Sequence, residues 1–192
     1  MKFGEKLRDW LERICIRHLT VMLIAGSATS YVYSVFDRRF VGMLALVPAA
    51  AWTGEYWRFV SFVFCPLEMH PIFAFFVYYF FFLMGTTLEA DWGPARFTRY
   101  IATAVAVTVG LSFFYPIGVY TNEFIFTSIF LAFAVLYPDF LVYVFFILPV
   151  KMKYLAGFTW VCYGLTLVYG GWPAKIGVAA VTVNFLIFFG PE

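Results

Sequence analysis

Residues 54–96 read GEYWRFVSFVFCPLEMHPIFAFFVYYFFFLMGTTLEADWGPAR, and this stretch decides the fold. Its uncharged centre, Ile72–Leu88, lies between two charged aromatic clusters. One is Glu55-Tyr56-Trp57-Arg58; the other is Glu89-Ala90-Asp91-Trp92-Gly93-Pro94-Ala95-Arg96. A segment in lipid must close its own backbone hydrogen bonds, so Ile72–Leu88 is expected to be a transmembrane helix. Charge beside lipid is costly unless it is paired or hydrogen-bonded. Glu55, Arg58, Glu89 and Arg96 therefore each need a task.

The rest of the 192-residue chain agrees with this environment. It is 64% apolar, 23% aromatic and only 12% charged, which excludes an ordinary soluble domain. The length suits one domain of about six spans, at roughly 20 residues each plus loops. A net charge of +2 says little about partners, and with no nucleic-acid signature in the sequence no nucleic-acid partner is expected. Cys15, Cys65 and Cys162 form no CxxC pair and read as packing thiols. No nucleotide or haem signature is present, and no cofactor is expected. Residues 19 onward carry no small-residue cleavage site after the charged start, so no cleavable signal peptide is read.

Outward from the centre, the chain divides into residues 1–18 and 19–192. Met1–His18 alternates charge, with Phe3, Leu7, Trp10, Leu11 and Ile14 at helical spacing, and is expected to lie amphipathically on the membrane surface. The expected spans are 19–36, 72–88, 97–115, 124–137, 154–169 and 173–189. Residues 40–63 are too broken by Gly42, Pro48 and Gly54 to span, and read as an interfacial loop rich in Trp and Tyr. The turn between spans two and three holds Glu89, Asp91, Arg96 and Arg99. Span four is short: 14 residues cover ~21 Å, less than a hydrocarbon core of about 30 Å. Residues 140–150 read as a second interfacial loop. Gly85, Ala132 and Gly164 are expected at helix contacts. The fold class is thus an all-α, six-transmembrane-helix bundle with an interfacial loop between helices 1 and 2. Placing both termini in the cytoplasm puts nine Lys and Arg residues on that side against Arg38, Arg39, Arg58 and Lys175 on the other. A bacterial inner membrane is the expected location.

The order of these features carries a family resemblance. Glu55-Tyr56-Trp57-Arg58 sits in a long loop after the first span. The second span ends Gly85-Thr86-Thr87-Leu88-Glu89, Trp92-Gly93 and Arg96-Phe97 follow, and a short fourth span ends Leu136-Tyr137-Pro138. This combination resembles the rhomboid superfamily of six-span intramembrane serine proteases. The resemblance implies that Glu55, Trp57, Arg58, Gly85, Glu89, Gly93 and Arg96 are structural brackets that brace the loop and tie helix ends.

It also implies catalytic residues that are missing. A rhomboid protease begins span four with Gly-x-Ser-Gly and takes the Ser proton with a His on span six. Here that slot reads Thr121-Asn122-Glu123-Phe124, with the Ser position on or near Glu123. Span six has no His, its nearest polar group being Asn184. The family's oxyanion helpers on span two align with Phe73 and Val77. Phe73, Val77, Asn122, Glu123 and Asn184 are therefore expected to line a degenerate active-site recess. Ser128 lacks flanking glycines and a base, and a hydroxyl in that place is expected to bond back to its own helix. His70, Glu68 and Glu123 are too scattered to read as a metal site.

The expected function is a pseudoprotease: a scaffold, chaperone or accessory subunit that binds lipid and other transmembrane proteins or a larger membrane complex. The alternative is a divergent intramembrane hydrolase using Glu123, His70 or another group. A small channel lined by Asn122, Glu123 and Asn184 is a weaker third reading. An enzyme needs two reactive groups within hydrogen-bond reach in a wet cavity.

Overall fold

A computed structural model describes residues 16–67, 69–144 and 148–190. Most of the expected amphipathic segment 1–18, Glu68, and residues 145–147 of the second loop lie outside the described residues.

The chain is mostly helical. Helix α1 runs Leu19–Phe36 and ends where Asp37 turns extended. The expected interfacial loop then folds into three short helices, α2 (Arg39–Leu44), α3 (Pro48–Trp52) and α4 (Arg58–Ser61), and a 3-10 turn, Phe62–Phe64. Pro48 starts α3 because its fixed φ suits a first helical turn, and it forces Val47 into extended backbone.

Helix α5, Pro71–Ser112, joins the expected second and third spans. The turn between them is narrower than the sequence reading: Glu89 to Trp92 are helical, and the chain bends at Gly93 alone (φ 76°, ψ 156°). Only glycine adopts that region cheaply, and Pro94, with no N–H to satisfy, restarts the helix. The two arms double back. Met69, just before α5, accepts a hydrogen bond from the Tyr31 hydroxyl (2.7 Å), and Pro116, just after it, accepts one from Ala49 N–H (2.9 Å). Both ends of α5 therefore lie beside the 37–70 loop, and the Gly93 elbow lies at the other end.

Helix α6 (Glu123–Leu136) follows. The described residues of the expected second loop are mostly strand. Strands β1 (Leu141–Val144) and β2 (Leu148–Lys151) pair antiparallel, with Val142 opposite Val150 and Tyr143 opposite Pro149. Their β-branched and aromatic residues favour the pleated pairing. Helices α7 (Met152–Tyr169) and α8 (Trp172–Phe189) complete the chain. Among the described residues α1, α5 and α8 are long and apolar enough to cross a membrane, and α6 is apolar but shorter.

The core forms around α6, whose Ile125, Ile129, Ala132 and Phe133 are buried against Leu88, Phe97, Tyr100 and Ile101 of α5. Between helices in lipid, association rests on close packing and polar contacts, with little hydrophobic drive. Gly85 shows this: a Cβ there would come 2.5 Å from Thr20 Cγ2, so α5 and α1 touch at backbone distance. Gly164 does not pack in this way, since a Cβ there would meet open space, and the expected contact at that residue is corrected.

Candidate functional site

Where α1 hands over to the loop and α6 begins, a recess of about 620 Å³ opens. Arg38, Val41 and Gly42 form one wall, Leu67 and Met69 another, Val77 and Phe81 of the first α5 arm a third. Thr121, Glu123, Phe126 and Thr127 close it. A second hollow of about 580 Å³ shares Arg38, Val41, Leu67 and Met69 with it and adds Tyr31, Ser34 and His70.

Glu123 is the first residue of α6 and is exposed. A carboxylate there sits favourably against the N-terminal end of the helix dipole. The Thr127 hydroxyl donates to the Glu123 carbonyl (2.9 Å). The other expected recess residues scatter. Val77 lines the recess. Phe73 does not; it is half exposed and stands edge-on to His70, 6.3 Å between centroids. Asn122 is 1% exposed and lies among α1 and the loop, its Nδ2 donating to Ser27 Oγ and Val63 O at 3.1 Å each. It caps α6 through its carbonyl, which accepts from the Ile125 and Phe126 N–H groups, and not through its side chain.

Asn184 does not line this recess; it belongs to a second polar cluster that joins three helices. Its Nδ2 donates to Ser128 Oγ (2.7 Å). The Tyr100 hydroxyl lies 2.6 Å from Ser128 Oγ and 2.7 Å from the Ser128 carbonyl, to which it donates. Tyr100, Ser128 and Asn184 are all at 0% exposure. The expectation that Ser128 bonds back to its own helix is corrected: its hydroxyl links α5, α6 and α8. A Ser held between a phenol and an amide has no base to take its proton. Tyr100 escaped the sequence reading; the legible signal was Asn184 alone, since an Asn on an apolar helix needs a partner on a neighbour. Nearer the start of α6, the slot between α6 and α8 is closed by hydrocarbon. The Phe124 ring lies where any side chain at Gly177 would project.

The bracket residues divide into working ties and exposed groups. The Arg58 guanidinium pairs with Glu55 and donates to the carbonyls of Gly42 (2.5 Å) and Ala45 (2.7 Å). Trp57 serves through its backbone, its carbonyl accepting from Val60 and Ser61, while its ring is exposed. Glu89 caps α1: its carboxylate accepts from Leu19 N–H (3.2 Å), Thr20 N–H (3.3 Å) and the Thr20 hydroxyl (3.0 Å). Arg96 does not meet Glu89. It lies over the Trp92 ring, 5.1 Å from the centroid. Beside the elbow, the Tyr137 hydroxyl donates to Asp91, and that bond holds the phenol above its usual pKa. At the hairpin base Lys151 (2.9 Å) and Lys153 (3.0 Å) both donate to Asp139, whose carboxyl is held below its usual range by those bonds. His70 and Glu123 line different hollows, and among the described residues no three His, Cys, Asp or Glu side chains converge.

No curated protein matches the chain. A family model described as "Eukaryotic integral membrane protein" matches residues 17–190. That description overturns the expected bacterial inner membrane, an expectation that rested on charge counts, which read sidedness and not the kind of cell. With nearly every residue inside the match, the chain belongs to the family of eukaryotic integral membrane proteins designated DUF1751.

Proposed function

We propose that this protein is a rhomboid-like membrane protein of six spans without peptidase chemistry, which binds other transmembrane helices as a scaffold, chaperone or accessory subunit. Six apolar segments support the count: α1, the two arms of α5 on either side of Gly93, α6, α7 and α8. The observation that carries the reading is the state of the α6 start. The position matching the family's nucleophile is an exposed carboxylate, Glu123, and its neighbour Phe124 packs its ring on Gly177 of α8. Beside them an open recess walled by Val77, Phe81 and Phe126 offers an apolar surface to a partner helix.

The test pairs the purified protein in lipid with a panel of transmembrane substrates and a fluorophosphonate probe. A photoreactive residue at Val77 reports helix binding in the same preparation. The expected result is crosslinked helix with no cleavage and no labelled serine. Cleavage that disappears in Glu123→Ala or Ser128→Ala would replace this reading with the hydrolase.

A further inference from the structure

Arg38 and Glu123 come from different elements and line the same recess. No ion pair joins them, and among the described residues neither has another ion-pair partner. Thr127, the neighbouring hydroxyl, donates to the Glu123 backbone carbonyl, so it gives the carboxylate nothing. Leu67, Val77, Phe81 and Phe126 give the same recess hydrocarbon walls, beside Thr121 and Thr127. Both side chains are exposed beside an apolar hollow, where each can meet a ligand group of opposite sign. They are matched by a ligand that carries both signs a short distance apart on an apolar body.

We propose that the recess binds the headgroup of a phosphatidylethanolamine-type lipid, with the phosphate at Arg38 and the primary ammonium at Glu123. The proposal deepens the reading of the recess as a binding surface open to the bilayer, and rests on it. A planar guanidinium matches phosphate oxygens. A primary ammonium donates a charge-assisted hydrogen bond to a carboxylate. A choline headgroup has the same charges and no N–H to donate. A glycerol headgroup leaves Glu123 facing a net anion. The short α6 sets its first residue below the level of the surrounding headgroups, because 14 residues cover ~21 Å against a hydrocarbon core of about 30 Å. The second hollow, continuous through Val41, Leu67 and Met69, gives an acyl chain somewhere to lie.

The experiment is native mass spectrometry of the full chain in mild detergent, with equimolar phosphatidylethanolamine, phosphatidylcholine and phosphatidylglycerol of identical chains. The parent should retain the ethanolamine lipid about tenfold over either competitor, the equivalent of one charge-assisted bond. Glu123→Gln should bring it down to the choline level, and Arg38→Ala should lower both zwitterions together. A series of N-methylated ethanolamine lipids on the parent needs no variant, and retention should fall at the trimethyl step. Equal retention of ethanolamine and choline lipids, preference for the glycerol lipid, or a preference that survives Glu123→Gln overturns the assignment. Crosslinking of a synthetic leucine-rich transmembrane peptide from Val77 reads the other proposal separately. Captured peptide without lipid preference rejects the lipid alone; lipid preference without captured peptide rejects helix binding alone.

Discussion

Arg58 and Glu89 perform mirror-image tasks at opposite ends of the molecule. At the loop end, Arg58 donates to two backbone carbonyls near the end of α2. At the elbow end, Glu89 accepts from two backbone N–H groups at the start of α1. A helix leaves carbonyls unpaired at its C-terminal end and N–H groups unpaired at its N-terminal end. The sign of each charge follows from which group is left over. The environments differ too. The Arg58 side chain is 11% exposed and its partner Glu55 is 41% exposed, so water helps one member of the pair only. The comparison teaches that the few charges of an apolar chain are spent on helix ends, where lipid offers no hydrogen bonds.

The largest effect is expected from Arg58→Ala. It strips two carbonyls of their donor and leaves Glu55 unpaired, at a loss of about 3–4 kcal/mol, toward the low end for a broken buried pair because Glu55 keeps some water. Arg58→Lys should recover only part, since an ammonium lacks the planar fork. Thermal melting of the detergent-solubilised protein reads both, and a parent-like melt for Arg58→Ala breaks the comparison at the loop end. At the elbow end, Glu89→Ala should cost about 2–3 kcal/mol, as hydrogen bonds to a charged acceptor do. Glu89→Gln should cost less, because an amide oxygen still accepts. If the two variants melt together, charge is not what Glu89 contributes. Gly93→Ala should cost about 1–2 kcal/mol through backbone strain, without changing the N-terminal cap of α1. Smaller still is the effect of acid on the hairpin base. The Asp139 carboxyl is held below its usual pKa by Lys151 first and Lys153 second. Its contribution is complete above the unfolded carboxylate pKa and is lost as pH falls through the lowered folded value. The parent should lose a little more melting temperature than Asp139→Asn over that acid window, and equal slopes would remove the hairpin tie.

Much of this arrangement was legible in the chain. The turn between the second and third spans was legible from the charges Glu89, Asp91, Arg96 and Arg99, though not its narrowing to Gly93, and the short α6 was readable from its apolar length. Hidden features depended on which face of a helix turns inward. Asn122 and Glu123 are neighbours, yet one is buried on Ser27 and the other is exposed. Asn184 was grouped with them by its polarity, while its real partner, Ser128, turns inward from α6 next to Thr127, which lines the recess. Residues 140–150 defeated the reading because a short apolar β-branched run suits an interfacial loop and a hairpin equally until its pairing is seen.

The position of α8 has a consequence for how the protein is made. The last helix packs against both α5 and α6 and buries Ile176, Gly177, Val181 and Asn184, whereas α7, made before it, buries only Met152. The central slot is therefore filled by a segment made after both helices it packs against. Until then Tyr100 and Ser128 face that vacant slot with their α8 partner not yet synthesised. A nascent chain arrested after α7 is an incomplete barrel stave, with polar groups turned toward lipid and an apolar groove left open. Damage to α8 should therefore lower stability and abundance before it alters any binding surface.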